Sequence, residues 1–330
     1  MEKNVEILMT AEILNRFFHC YSLEQNQYKK LGDFENYVYE VYRNSESFIL
    51  RLTHSSHRTE AELLAEVDWV NYLNSQGISV PKVFYSDHGK FVELAPAEDG
   101  SLFYASLFSK VPGTPVKVTA PGFNERLFKA LGRANAQMHS AAKAYEPKNG
   151  IVHRMQWEDE DLLEVEKYVP KSETLVIENT QKLLLQLKSL PRNKENFGLI
   201  HTGVHSGNFF YDSKEILIFN FDDCCYHWFA SDIAIPLYYS LLYRFKDHNN
   251  KESNAYGKRF LTSFTEGYQE ENSLPKDWAI QLPYFLRLRD VTLYSVPHKK
   301  IAPEDRDENL NLMLQQLKNR IEKNAPIYSA

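Results

Sequence analysis

The residues with the clearest chemical potential lie in one stretch of the chain, between Leu199 and Asp232. Two short apolar runs, Gly198–His201 and Glu215–Phe221, predict β-strands with a polar loop between them. Polar side chains on a loop between rigid strands are typical of binding and catalytic sites. The imidazole, amide and carboxylate groups of this loop, and of the end of the second run, belong to His201, His205, Asn208, Asn220, Asp222 and Asp223.

Histidine and cysteine side chains in the same stretch raise zinc binding as one possible chemistry, because zinc favours these ligands. The candidate ligands are His201, His205, Cys224, Cys225 and His227. Adjacent cysteines on an extended segment point to opposite faces. The chain also has no C-x-x-C spacing. We therefore do not favour zinc here.

The stretch L-I-H-T-G-V-H-S-G-N resembles the catalytic core of the aminoglycoside phosphotransferase and choline kinase-like family, which has a kinase-like fold. Family members read roughly H-x-D-x-H-x-x-N, followed by an apolar run that ends I-D-F or I-D-L. His205, Gly207 and Asn208 match this pattern. Gly203 stands where the family has its catalytic aspartate, and Asn220 where it has its metal-binding aspartate. Both differences remove a negative charge, so we expect impaired turnover on an unchanged fold.

The resemblance implies ATP as phosphoryl donor, Mg²⁺ as metal and a hydroxyl of a small molecule as acceptor. Phosphoryl transfer needs positioning, magnesium and a group that orients the attacking hydroxyl. The resemblance places the catalytic position at Gly203, beside His205 and Asn208, and the metal ligands at Asn208 and Asn220. Gly203 cannot accept a proton. Asn220 can coordinate only through a neutral oxygen, whereas magnesium favours carboxylates; Asp222 could partly substitute if the strand continues and both residues share a face.

Two further polar residues of this stretch are predicted to be structural. We expect His201 to pack and to hydrogen-bond within the loop. Asp232 precedes an apolar helical pattern and is an N-cap candidate. The resemblance implies that Asp232 also braces the catalytic loop.

The elements before this core predict a β-rich N-terminal lobe. An amphipathic helix over residues 5–18 is followed by β-type runs around Tyr21–Leu31, Tyr37–Tyr42 and Phe48–Thr53. In the resemblance, the turn at Gly32–Asn36 would overhang the nucleotide phosphates. The chain has no G-x-G-x-x-G there, and an ordinary hairpin turn explains the glycine equally well.

A helix predicted over residues 58–75 carries Glu66 within its apolar stripe. A carboxylate in that place needs a partner, and Arg51 in the preceding strand is the natural candidate. The pair resembles the strand-lysine and helix-glutamate pair of kinases, although a purely structural ion pair is the alternative. The strand Tyr104–Val111 resembles the hinge that contacts adenine. The predicted nucleotide-binding positions are Gly32, Asn36, Arg51, Glu66, Phe108 and Lys110.

The rest of the chain reads mainly helical, beginning with Asn124–Tyr145. The other helical patterns are Asp159–Tyr168, Glu173–Leu190, Ile233–Phe245, Ala255–Glu271, Asp277–Tyr294 and Asp305–Lys323. Strands in the first third and helices in the remainder predict an α+β fold, which the resemblance makes a two-lobed protein-kinase-like fold. We predict a nucleotide-binding lobe over residues 1–112 and a helical lobe over residues 113–330 that carries the catalytic loop and the substrate site.

Composition limits the class of protein. The chain has 330 residues, 43% hydrophobic and 25% charged, with a net charge of −6. The negative charge argues against a nucleic-acid or membrane-surface protein. Three cysteines give no disulfide framework, and the first twenty residues contain no signal-peptide core. We expect a cytoplasmic protein whose partners are a nucleotide and an unidentified small-molecule hydroxyl; a non-catalytic nucleotide- or metabolite-binding pseudokinase is the competing hypothesis.

Overall fold

The computed structural model describes residues 3–329, which divide into two units. The first unit contains the residues up to Gly113, together with Tyr145–Arg154 and Leu217–Asp222. The second unit contains Thr114–Ala144, Met155–Ile216 and the residues from Asp223 onward. Two short segments distant in sequence therefore join the N-terminal part of the chain.

The first unit is built on a six-stranded antiparallel sheet. Its strands are β1 Tyr28–Gly32, β2 Tyr37–Arg43, β3 Glu46–His54, β4 Val83–Phe84, β5 Glu93–Pro96 and β6 Leu102–Ser109. The order is β1-β2-β3-β6-β4, with β5 also paired to β6. Strand β3 lies inside the sheet, and its buried Leu50 and Leu52 pack in a core with Phe17, Phe103 and Leu107. The helices of this unit are α1 Lys3–Leu8, α2 Ala11–Cys20 and α3 Glu60–Ser75.

The second unit is mainly helical. Its helices are α4 Glu125–Ala142, α5 Thr174–Lys188, α6 Phe229–Arg244, α7 Lys251–Gln269, α8 Trp278–Lys300 and α9 Glu308–Glu322. Short strands β7 Phe197–Ile200 and β10 Cys225–Trp228 pair antiparallel, and β8 Phe209–Tyr211 follows the loop after β7. Strand β9, Ile216–Ile218, begins at the last residue of this segment of the second unit and continues into the segment assigned to the first. Across residues 3–329, no helix is both long and apolar enough to cross a bilayer.

The structure corrects four expectations about local structure. Residues 5–18 form two helices instead of one, because the Thr10 hydroxyl caps α2 by accepting from the Ile13 N–H. The run Tyr21–Leu31 becomes a strand only from Tyr28. Residues 159–168 form short 3-10 turns instead of a regular helix. The second apolar run of the core motif is a strand only over Ile216–Ile218, so Asn220 and Asp222 do not share a strand face.

Helices α4 and α7 approach so closely that each needs a glycine at the contact. A Cβ atom on Gly132 would lie 1.9 Å from the Phe264 carbonyl oxygen, and one on Gly267 would lie 1.9 Å from the Lys129 carbonyl oxygen. Real Cβ atoms do not approach backbone so closely, so the helices would have to separate. The small residues therefore set the spacing of this helix pair.

We expect Gly267→Ala to lower the free energy of unfolding by about 1–3 kcal/mol, the usual cost of overpacking. Helix propensity alone predicts the opposite sign, since alanine favours a helix over glycine by about 1 kcal/mol. Urea unfolding measures the difference. Gly122→Ala is the matched control, because its added Cβ would meet nothing within 4 Å. A Gly267→Ala protein as stable as the parent would contradict the close helix contact.

Candidate functional site

In the first unit, the predicted pair of Arg51 and Glu66 is present. Arg51 on β3 donates from Nη1 and Nη2 to the two carboxylate oxygens of Glu66 on α3, at 2.7 and 2.6 Å. Both side chains are buried. The guanidinium also lies over the Phe108 ring, 5.1 Å from its centroid. The two-point geometry needs arginine, because lysine offers a single charged nitrogen.

Asp222 lies buried in the same unit among cationic and amide groups. Its Oδ2 accepts from Asn36 Nδ2 at 3.0 Å and contacts His57 Nε2 at 2.7 Å. Its Oδ1 lies 3.6 Å from Arg58 Nε. The Asp222 carbonyl accepts from Arg58 and, at 2.5 Å, from Arg154 Nη2. Asp222 therefore connects these residues of the first unit through the hydrogen bonds that its carboxylate and its carbonyl accept.

Asp222, which the sequence suggested as a substitute Mg²⁺ ligand, is a charged carboxylate with cationic neighbours. Burial alone would raise the pKa of its carboxyl, but the hydrogen bond from His57 and the charges of Arg51 and Arg58 hold that pKa well below its usual range. Its Oδ1, however, is buried and has no hydrogen-bond partner among the described residues, so one carboxylate oxygen remains for a metal ion. The other two proposed ligands, Asn208 and Asn220, are neutral amides, which hard magnesium does not prefer. We therefore derive no step through a metal.

The remaining nucleotide-binding candidates have local roles in the first unit. Asn36 is fixed from two sides, because it also accepts from Thr53 Oγ1 at 2.6 Å. Lys110 is ion-paired to Glu40 at 2.6 Å. Gly32 ends β1, and a Cβ on it would meet nothing within 4 Å, so packing does not require glycine there. Their roles toward nucleotide stay predictions.

In the second unit, Asp232 fixes the start of the predicted catalytic loop. Its oxygens accept from the backbone N–H groups of His201 at 3.0 Å and Thr202 at 2.8 Å. Helix α6 begins at Phe229, so Asp232 lies in its first turn and is not the N-cap. Thr202 has a φ of 64°, which is unusual for a β-branched residue. Its hydroxyl donates to the Asp223 carbonyl at 2.8 Å, and these bonds hold the strained backbone.

Asp232 is fully buried beside His139, whose Nε2 lies 3.5 Å away. Burial alone would raise the pKa of Asp232, but His139, His201 and the backbone bonds hold that pKa below its ordinary value. Burial lowers the pKa of His139, although Asp232 opposes this shift. Asp232 is therefore a charged acceptor near pH 7, and it can hold both backbone N–H groups of the loop.

The loop closes on itself around Gly203. The Gly203 N–H donates to His201 Nδ1 at 3.0 Å, which confirms the predicted structural role of His201. Asn208 donates from Nδ2 to the Gly203 carbonyl at 2.9 Å. None of these bonds uses a side chain at position 203. The loop is therefore built without the acid that the family pattern places there.

His205 packs against residues that sequence reasoning missed. Its ring centroid lies 4.6 Å from that of Tyr239 on α6, whose hydroxyl accepts from Arg289 on α8. Burial, with the charge of Arg289, lowers the pKa of His205 to about 4, so the ring is neutral at pH 7. Tyr239 lies in an apolar run and Arg289 in a long helix, so only the fold brings them to the loop.

The candidate zinc ligands of this stretch do not converge. Within residues 3–329, His201, His205, Cys224, Cys225 and His227 form no group of three potential metal ligands. His227 instead packs among aromatic rings, including Trp157 and Phe285. Burial lowers the pKa of His227 to about 3.

Comparisons with known proteins extend these findings. Residues 28–279 match the model of a family described as the phosphotransferase enzyme family. Amicoumacin kinase of Bacillus subtilis (strain 168) is 37% identical over 322 residues, which cover 98% of this chain and 95% of that protein. A solved structure of amicoumacin kinase hAmiN in complex with AMP-PNP, Ca²⁺ and Ami is similar with a TM-score of 0.93 and 35% identity, over 99% of this chain and 98% of that one.

A microcompartment-associated aminopropanol kinase has a TM-score of 0.75 at 20% identity, over 96% of this chain and 99% of that one, and shows the fold alone. Together these likenesses confirm the predicted α+β, kinase-like fold class.

We expect Asp232→Asn to lower the free energy of unfolding at pH 7 by about 2–3 kcal/mol, since hydrogen bonds to a buried charge contribute about 1.5–3 kcal/mol each. The folded pKa of Asp232 is depressed, so its contribution is complete above the unfolded value of about 3.9 and is lost as pH falls below it. The difference between variant and parent should therefore shrink from pH 7 to pH 3. Urea unfolding at both pH values measures it.

The control for this experiment is Asp247→Asn, a substitution at an exposed residue. It should change stability by no more than about 0.5 kcal/mol at either pH. An Asp232→Asn deficit that stays constant with pH would show that the carboxylate charge is not what holds the loop.

Proposed function

The chain belongs to the phosphotransferase enzyme family. From this premise we propose that it binds ATP and a hydroxyl-bearing small molecule, and that its rate of phosphoryl transfer is impaired by the residues at positions 203 and 220. The observation that carries the proposal is the loop of residues 201–208. Asp232, His201 and Asn208 hold that loop by hydrogen bonds, yet position 203 offers no carboxylate. The scaffold for phosphoryl transfer is retained without its acid.

Nucleotide binding is supported by the first unit. Arg51 is charged, buried and oriented by Glu66, as a phosphate-binding arginine needs to be. Its Nε is buried and has no hydrogen-bond partner among the described residues, so this N–H donor is unpaired. The similar hAmiN structure holds AMP-PNP and Ca²⁺, which supports a nucleotide as the ligand of this chain.

The acceptor is proposed from similarity. At 37% identity over nearly the whole chain, amicoumacin kinase of Bacillus subtilis is a full-length relative, and hAmiN is named as binding Ami. We infer that amicoumacin, or a small molecule related to it, is the first acceptor to test. Neutral His205 lies beside the aromatic ring of Tyr239 and near the cationic Arg289. These groups lie next to the loop of residues 201–208 and could contact such an acceptor.

Metal dependence is proposed to be weak. Asn220 carries no charge, and Oδ2 of Asp222 is engaged by Asn36 and His57, which leaves Oδ1 near Arg58 as the one carboxylate oxygen without a hydrogen bond among the described residues. The same observation favours a second function, that of a nucleotide- or metabolite-binding pseudokinase, because its charges balance without a cation. We also propose a cytoplasmic location, supported by three free cysteines.

We expect Glu66→Ala to weaken ATP binding measured by calorimetry on folded protein, because Arg51 loses the carboxylate that orients it. Stability should also fall by about 3–5 kcal/mol, the usual cost of leaving a buried charge unpaired. Glu46→Ala, at an exposed position on β3, the strand that carries Arg51, should change neither quantity. Equal ATP affinities of parent and Glu66→Ala would leave the pair a structural role only. A parent that binds no nucleotide would overturn the proposal itself.

We expect Gly203→Asp combined with Asn220→Asp to create phosphotransferase activity on ATP and a hydroxyl acceptor, and to make ATP binding depend on Mg²⁺. A positioned general base contributes about 10²–10⁴-fold. Either single change should recover little, because both carboxylates act on one transition state. The backbone accommodates both changes. Gly203 does not have a positive φ, and its added Cβ, 3.3 Å from Asn208 Nδ2, requires that side chain to shift by a few tenths of an ångström. Asn220 has a φ of 68°, which aspartate tolerates.

The matched control is Gly203→Asn with Asn220→Asp, which adds the same volume at position 203 without the charge. Turnover of ATP with amicoumacin, and of ATP alone, is measured in the parent, both single variants, the double variant and this control. A folded, ATP-binding double variant as inactive as the control would refute the account of Gly203. A parent as active as the double variant would refute the proposed impairment.

A further inference from the structure

Three potential metal ligands meet in the first unit, far in sequence from the phosphotransferase motif. Cys20 ends helix α2, His88 lies in the turn after β4, and Glu93 begins β5. One ligand atom from each residue lies within 4.8 Å of the other two. The described residues contain no other group of this kind.

Hydrogen bonds fix the three segments that carry these residues. The Asp87 N–H donates to the Cys20 carbonyl at 2.8 Å, so the turn is attached to the end of α2. The Ser22 hydroxyl donates to Asp87 at 2.6 Å. Within the turn, the Ser86 N–H donates to the Lys90 carbonyl at 2.8 Å. The ligands are therefore placed by the fold and do not rely on flexible side chains alone.

The Glu93 carboxylate is buried and already engaged. Its Oε1 accepts from Ser86 Oγ at 2.6 Å and contacts His88 Nδ1 at 2.8 Å. Burial alone would raise the pKa of Glu93, but the Ser86 and His88 bonds hold it below its ordinary value. The Cys20 thiol is buried as well. A buried carboxylate facing a buried thiol is a combination that a cation would stabilise.

The chemistry of the donors selects the cation. Sulfur, imidazole nitrogen and carboxylate oxygen together suit zinc, whereas calcium and magnesium take oxygen donors only. Tetrahedral zinc at its usual bond lengths separates neighbouring ligand atoms by about 3.4–3.6 Å. The present spacing of up to 4.8 Å reaches this value with small side-chain movements. The His88 side chain is 61% exposed, which gives an ion a path from solvent.

We propose that Cys20, His88 and Glu93 form a zinc-binding site, with a water molecule as fourth ligand. Binding replaces the thiol proton of Cys20 and the direct contact between His88 and Glu93, and it joins α2, the turn and β5 around one ion. The site is independent of the proposed phosphotransferase function, because none of its residues belongs to the loop of residues 201–208 or to the Arg51 and Asp222 contacts.

The test uses the full chain without a histidine tag, titrated with Zn²⁺ by calorimetry and with Co²⁺ by absorption. We expect one equivalent of Zn²⁺ to bind, affinity to fall on acidification because the ligands must lose protons, and Co²⁺ to give a thiolate charge-transfer band. His88→Ala should weaken Zn²⁺ binding at least about tenfold, since loss of even an outer contact costs 10–100-fold. Cys20→Ser should abolish the Co²⁺ band.

Two comparisons make the outcome decisive. His153→Ala removes another exposed histidine of the same unit and should bind Zn²⁺ as the parent does. His88→Ala alters a largely exposed side chain, so it keeps the test valid if Cys20→Ser fails to fold. A parent that takes up no stoichiometric Zn²⁺ overturns the proposal. So does undiminished affinity in His88→Ala, which would place the bound ion elsewhere.

Discussion

The buried ion pair of Arg51 and Glu66 is the contact on which the electrostatics of the first unit depend. It attaches helix α3 to β3, a strand paired on both sides within the sheet. Glu66 accepts one hydrogen bond from each terminal nitrogen of Arg51, and the buried Asp222 accepts its hydrogen bonds from other residues. It takes them from Asn36 and His57, with Arg58 close by. The unit thus reaches local charge balance with side chains alone.

This balance explains why asparagine at position 220 suits the structure. A second carboxylate two residues before Asp222 would add negative charge beyond what Arg51 and Arg58 neutralise, and a divalent cation would then bind favourably. With an amide at that position, the balance holds without a cation. The proposed weak metal dependence rests on this difference in charge.

Sequence reasoning predicted those features that depend on neighbouring residues. The Arg51–Glu66 pair was predictable because Glu66 falls within an apolar helical stripe, and burial demands a partner close by. The partners of Asp222 were not, since His57 lies 165 residues away and only the fold brings it there. The prediction that Asn220 and Asp222 share a strand face was wrong, because β9 ends at Ile218 and the backbone of Asn220 has a left-handed conformation. A left-handed backbone conformation at a single residue produces no periodic pattern of apolar residues in the sequence.

The residues that hold the fold of this chain are different from the residues expected to carry its chemistry. Similarity to a known structure can therefore establish the fold without establishing the chemistry. A TM-score of 0.93 to hAmiN reflects backbone that is held by contacts such as those of Asp232 with His201 and Thr202. None of those contacts requires an acid at Gly203 or Asn220. Carboxylates gathered for catalysis repel one another and are retained for activity at some cost in stability. Replacing such carboxylates with neutral residues removes that repulsion. The fold can therefore be preserved even where the charges on which phosphoryl transfer depends are absent.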